Sequence, residues 1–121
     1  VIRAVHQEKN RRMIARIWRG RVRPHDAEIY LEYLHRTGVA DYEATPGNLG
    51  VTILQREIDG AVEFTILTLW ASMEAIRAFA GDNPEVSHYY AEDEAYLLHL
   101  EPYVEHFDVP YSNLPLARSG A

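Results

Sequence analysis

The stretch from Asp59 to Gly81 constrains this chain more than any other. Asp59-Gly60 is the dipeptide best suited to a two-residue hairpin turn, because both positions tolerate positive φ. From Ala61 to Trp70 the chain is rich in β-branched and aromatic residues and reads as a strand. Val62, Phe64, Ile66 and Trp70 fall on one face, Leu67 and Leu69 on the other. A strand apolar on both faces is usually covered on both. Ser72 then stands as an N-cap, and Ile76, Phe79 and Ala80 form a helical stripe that Gly81 terminates. Ala75 occupies the position where Glu or Gln would complete a capping box.

The flanks complete an alternating plan. Met13 to Arg19 reads as a first strand, with Gly20 to Arg23 as its exit loop. Pro24 and Asp26 suit a helix start, and Ala27, Tyr30, Leu31 and Leu34 form an amphipathic face ending near Gly38. Asp41 to Gly50 is a connection with turn chemistry at Thr45-Pro46-Gly47-Asn48. Gly50 to Ile58 is a second strand, Ala91 to Leu100 a further short helix, and Tyr103 to Val109 a fourth strand. The order β-α-β-β-α-(α)-β specifies an α+β, ferredoxin-like four-stranded antiparallel sheet with its helices on one face. The other sheet face is then left apolar and open, and a second copy of the chain is its simplest cover.

Composition narrows the function classes. With 121 residues the chain supports one core, assigned to residues 13–109. Residues 1–12 read as a basic, disordered leader, and residues 110–121 as a patternless tail. Twelve Lys and Arg against 18 Asp and Glu make an acidic protein, which argues against nucleic acid as partner. No apolar run approaches the roughly 20 residues that span a bilayer, so no membrane partner is expected. The N-terminus lacks a signal-peptide core, and a cytoplasmic location is expected. The absence of cysteine excludes disulfides, thiolate catalysis and Cys-ligated zinc.

Three segments carry a family likeness: Met-Ile-Ala-Arg-Ile-Trp-Arg-Gly from Met13, Leu67 to Gly81, and Glu-His-Phe-Asp-Val from Glu105 to Val109. Together they resemble the antibiotic biosynthesis monooxygenase-like group of the dimeric α+β barrel superfamily. The resemblance implies a homodimer whose two sheets form a barrel, with a small-molecule pocket in each subunit between sheet and helices. Some members are cofactor-independent oxygenases of polycyclic phenols, and some degrade haem. The haem-degrading members use an Asn on the first strand, a Trp late in the second helix and a His shortly after it. Here the first strand offers Trp18 or Arg19, Phe79 stands at the Trp position, and His88 lies near the expected His. Two of three positions differ, so the resemblance does not carry haem cleavage to this chain.

The candidate site residues each have a plainer alternative. His106, mid-strand, is a candidate proton acceptor because an imidazole titrates near neutrality; otherwise it is a core or interface histidine bonded to a neighbour. In the loop His88-Tyr89-Tyr90 an imidazole and two phenols can orient and deprotonate a phenolic substrate, or simply roof the second helix. Trp18 and Arg16 share a strand face that suits a flat, electron-rich ligand; the alternative is a core Trp beside an Arg in a buried ion pair. Trp70 reads as packing. His88, His99 and His106 lack the pair spacing of a helical metal motif, and no metal is expected. The expected activity is cofactor-independent oxidation of an aromatic or quinol-type molecule, with His88 and His106 catalytic and Arg16, Trp18, Tyr89 and Tyr90 binding substrate. A non-catalytic barrel that binds a small molecule or serves in assembly is the alternative.

Overall fold

The computed structural model describes residues 13–117; the expected leader at 1–12 lies outside the described residues. Four strands, β1 (Met13–Val22), β2 (Asn48–Ile58), β3 (Ala61–Trp70) and β4 (Glu105–Val109), form one antiparallel sheet in the order β2-β3-β1-β4. This is the ferredoxin-like arrangement. Its centre is the β1–β3 ladder, which runs without interruption from Ile14 opposite Trp70 to Val22 opposite Val62. The β2–β3 hairpin closes through Asp59 and Gly60, at φ of 51° and 75°, both in the left-handed region that the twist-matched turn demands.

The helices pack on the face that carries Trp18, Val22, Phe64, Ile66 and Trp70. They are α1 (Ala27–Leu34, after a 3-10 turn at Pro24–Asp26), α2 (Ala40–Ala44), α3 (Met73–Ala80) and the single turn α4 (Asp93–Tyr96). Tyr30, Tyr33 and Leu34 of α1 and Ile76 of α3 complete the core. Ser72 caps α3, its Oγ accepting from the amide of Ala75 at 3.1 Å, and Gly81 ends it at φ 91°. Both were expected from the sequence.

Several boundaries differ from the sequence reading. Gly38 does not end the first helix. A π-helical turn at His35–Val39 joins α1 to α2, because Val39 and Tyr42 extend the buried face that Leu34 begins. The expected helix at Ala91 to Leu100 shortens to α4, and β1 runs three residues past Arg19. These two changes are one event. Leu97 leaves the helix in extended conformation to bridge Val22, and the Leu98 amide donates to Arg21 O at 2.9 Å. Likewise β4 begins at Glu105, because the residues before it pair elsewhere. The Val104 amide donates to Glu85 O and the Ser87 amide to Pro102 O, both at 2.9 Å.

The opposite sheet face is open among the described residues. Ala15, Leu49 and Leu69 form a small apolar cluster there with Met13, Leu67 and Val109. Phe107, opposite Ala15 in the register, remains 47% exposed. Part of the rest of that face is ionic, a feature that strand alternation did not reveal. Glu63 is buried between Arg56 at 2.8 Å and Arg21 at 3.2 Å. Its carboxyl is held below the usual range by the Arg56 hydrogen bond first, with burial opposing.

Candidate functional site

On the helix-covered face, β1 directs alternate side chains inward, so Arg16 and Trp18 lie on the same side two residues apart. The β4 register places His106 directly across from Arg16. The segment between α3 and α4 is fixed by the short pairing of residues 85–87 with 102–104, and brings His88, Tyr89 and Tyr90 over the same region.

Arg16 is 2% exposed. Its Nη2 donates to Val86 O at 3.3 Å, its guanidinium lies 5.5 Å from the Phe79 ring centre, and its Nε is buried with no hydrogen-bond partner. Burial lowers its pKa, while Tyr42 and, more weakly, Tyr90 pull it back. Among the described residues no carboxylate pairs with it, so the buried ion pair considered from sequence is not formed. His106 is half-buried, and its Nε2 is buried without a partner. Burial, then the Arg16 charge, lowers its pKa, with Glu85 acting the other way. Lowering from 6.5 leaves a neutral imidazole near pH 7.

Tyr90 donates its hydroxyl to Asp41 Oδ2 at 2.5 Å and its amide to Asp93 Oδ2 at 2.7 Å. Burial and the Asp41 hydrogen bond push its phenol up, so it remains protonated. His88 is exposed and packs between Phe79, in a tilted contact, and Tyr90, edge-on, each ring centre 5.0 Å away. Tyr89 serves the scaffold: its hydroxyl accepts from Trp18 Nε1 at 3.3 Å and donates to Glu101 O at 2.6 Å.

A cavity of about 20 Å³ lies between sheet and helices, lined by Arg16, Trp18, Gly38, Tyr42, His88 and Tyr90 among others. Four of the six expected site residues thus converge. His106 stands beside Arg16 rather than on the cavity wall, and Tyr89 is behind Trp18. The sequence reading missed Tyr42, which caps the cavity beside Arg16 and whose phenol is raised by burial. It also missed Asp93. Asp93 is 4% exposed and accepts from Tyr30 at 2.7 Å as well as from Tyr90. The apolar spacing from Leu34 through Val39 to Tyr42 was the available signal for the first; Asp93 had none.

A larger depression of about 690 Å³ opens on the opposite sheet face, lined by Arg19, Arg21, Glu63, His99 and Glu105 among others. Its charged groups are mutually paired, as Arg19 with Glu105 and Arg21 with Glu63. It is the unpaired face of a lone sheet, whereas the small cavity is lined by Arg16, whose buried Nε has no hydrogen-bond partner. Among the described residues no group of three His, Asp or Glu side chains could hold a metal ion, and no helix is long and apolar enough to cross a membrane.

The sequence profile described as antibiotic biosynthesis monooxygenase matches residues 13–92, which includes Arg16, Trp18 and His88 to Tyr90 but not His106. No curated protein matches the chain. Among solved structures, a Bacillus cereus protein assigned as an antibiotic biosynthesis monooxygenase superposes with a TM-score of 0.54 at 20% identity, covering 85% of this chain and 98% of its own. The haem-degrading protein of Mycobacterium tuberculosis, in haem-free form, gives a TM-score of 0.48 at 21% identity, covering 84% and 94%. The strand order, the helix-covered face and the profile match agree, and this chain belongs to the antibiotic biosynthesis monooxygenase family.

Proposed function

We propose that the protein is a homodimeric, cofactor-independent oxygenase of an aromatic or quinol-type molecule, acting in the layer between sheet and helices. The observation that carries this reading is the cross-strand pair of His106 and Arg16: a neutral imidazole with a free Nε2 beside a buried guanidinium. His106 takes the phenolic proton and Arg16 stabilises the oxyanion that remains. The ionised ring is electron-rich enough to reduce dioxygen itself. One oxygen atom enters the ring, the other leaves as water, and a phenol becomes a quinone with every electron drawn from the substrate. Trp18 supplies a flat wall, and Tyr90 and His88 cover the opening. Because the cavity has room for about one water molecule, this reading requires the His88–Tyr90 segment to move outward to admit a ring.

Oxygen uptake with a panel of phenols and naphthols tests this. Turnover is expected in the wild type, with a loss on the order of 10²–10⁴-fold in His106→Gln, which keeps volume and hydrogen bonding but removes the base. A second reading is a barrel that binds a ligand without transforming it. Binding without oxygen uptake across the panel would select that reading.

A further inference from the structure

Arg16 raises a question that the proposed reaction leaves open, namely what neutralises it at rest. A buried guanidinium with no counter-ion is costly, because desolvation is not offset by an attractive charge. Among the described residues, the groups packed against Arg16 are neutral or cationic in their ordinary state. Tyr42 and Tyr90 are phenols kept protonated by burial, Phe79 offers only its ring face, Val86 a carbonyl and His106 an imidazole. The nearby carboxylates are engaged by others. Asp41 accepts from Tyr90, and Asp93 from Tyr30 and Tyr90. The Arg16 Nε remains unpartnered, and Arg16 lines the cavity. A residue retained for packing alone needs no such charge; a methionine or leucine would fill the space.

We propose that Arg16 selects a ligand that arrives already anionic, an aromatic ring bearing a carboxylate, and that this charge completes the site. The proposal rests on the ligand site described above and names the class of molecule it takes. The planar guanidinium fork matches a carboxylate, and the Phe79 ring behind it holds the fork's orientation. Trp18 and Tyr90 flank the attached ring.

A matched pair of probes separates this from the broader site reading. Naphthoate and its neutral isostere naphthamide are titrated calorimetrically against the full chain and against Arg16→Gln and Arg16→Met. The expected result is that naphthoate binds the wild type about tenfold more tightly or better, as a charge-assisted pair implies, and that the preference vanishes in both variants. Unliganded Arg16→Met is also expected to melt no lower than the wild type, because the charge it removes has no carboxylate partner among the described residues. Equal binding of the two probes to the wild type overturns the anionic preference but leaves the aromatic site standing. A preference that persists in Arg16→Gln places the anion elsewhere and also overturns the proposal. Binding of neither probe overturns both the proposal and the site. Should the variants melt early, Arg16 is already satisfied within the fold and the proposal fails on that count.

Discussion

At the scale of single residues, His106 separates chemistry from packing most clearly. Its folded pKa lies below 6.5, first through burial and then through Arg16, with Glu85 opposing. The unfolded chain therefore takes up a proton on acidification before the folded chain does. Stability from this group is complete above the unfolded value and falls as pH drops through it toward the folded value. The wild type is expected to lose melting temperature between neutral pH and about pH 5, and His106→Gln to lose less, so that the two curves converge on acidification. Thermal melts across that range check the prediction; parallel curves would mean that His106 ionises as freely in the fold as outside it. The residue type and strand position of His106 were legible in the sequence. Its partnership with Arg16 was not, because cross-strand register is set by pairing between segments some ninety residues apart.

At the scale of elements, the segment over the cavity is held to α1 through one buried carboxylate. Asp93 accepts from the Tyr30 hydroxyl and from the Tyr90 amide, each at 2.7 Å, while the Glu92 amide donates to Tyr33 Oη at 2.9 Å. Replacing Asp93 by alanine leaves a buried phenol and an amide without their acceptor, and is expected to destabilise the protein by about 3 kcal/mol in urea melts. Asp41→Ala removes the more exposed partner of the same tyrosine and is expected to cost under about 1 kcal/mol, since water replaces the acceptor. Equal losses would show that the segment is not anchored through Asp93. The elements themselves were largely readable. Turn chemistry at Asp59-Gly60, the Ser72 cap and the apolar alternation of β3 all point the same way, and the structure agrees with each. What the local pattern missed were ends decided by distant partners. Leu97 leaves its helix for Val22, Tyr103 pairs with Val86 rather than extending β4, and Gly38 is carried inside a helix by the burial of Val39 and Tyr42.

At the scale of the whole molecule, the two faces of the sheet have different tasks. One is covered by helices around a small cavity lined by Arg16, whose buried Nε is unsatisfied. The other leaves Phe107 at 47% and Leu54 at 52% exposed beside Ala15, Leu67 and Leu69, and arranges its charges as internal pairs. A second copy on that face forms the barrel of the proposed dimer. Sedimentation at micromolar concentration is then expected to give twice the 13.9 kDa of one chain, and a single 13.9 kDa species would remove the barrel from the account. The dimer also predicts where a ligand cannot bind, because the wide depression over Arg19, Arg21 and Glu63 is covered in it.

That contrast gives the most direct test of the central claim, that the ligand site lies between sheet and helices. Amide and indole shifts of the isotopically labelled protein are followed while a naphthol is added. The expected result is that the largest changes fall on Arg16, the Trp18 indole N–H, Gly38, Tyr90 and His106. Changes centred instead on Arg19, Arg21, Glu63 and His99, with the Trp18 indole unmoved, would contradict the account and place the site on the open face.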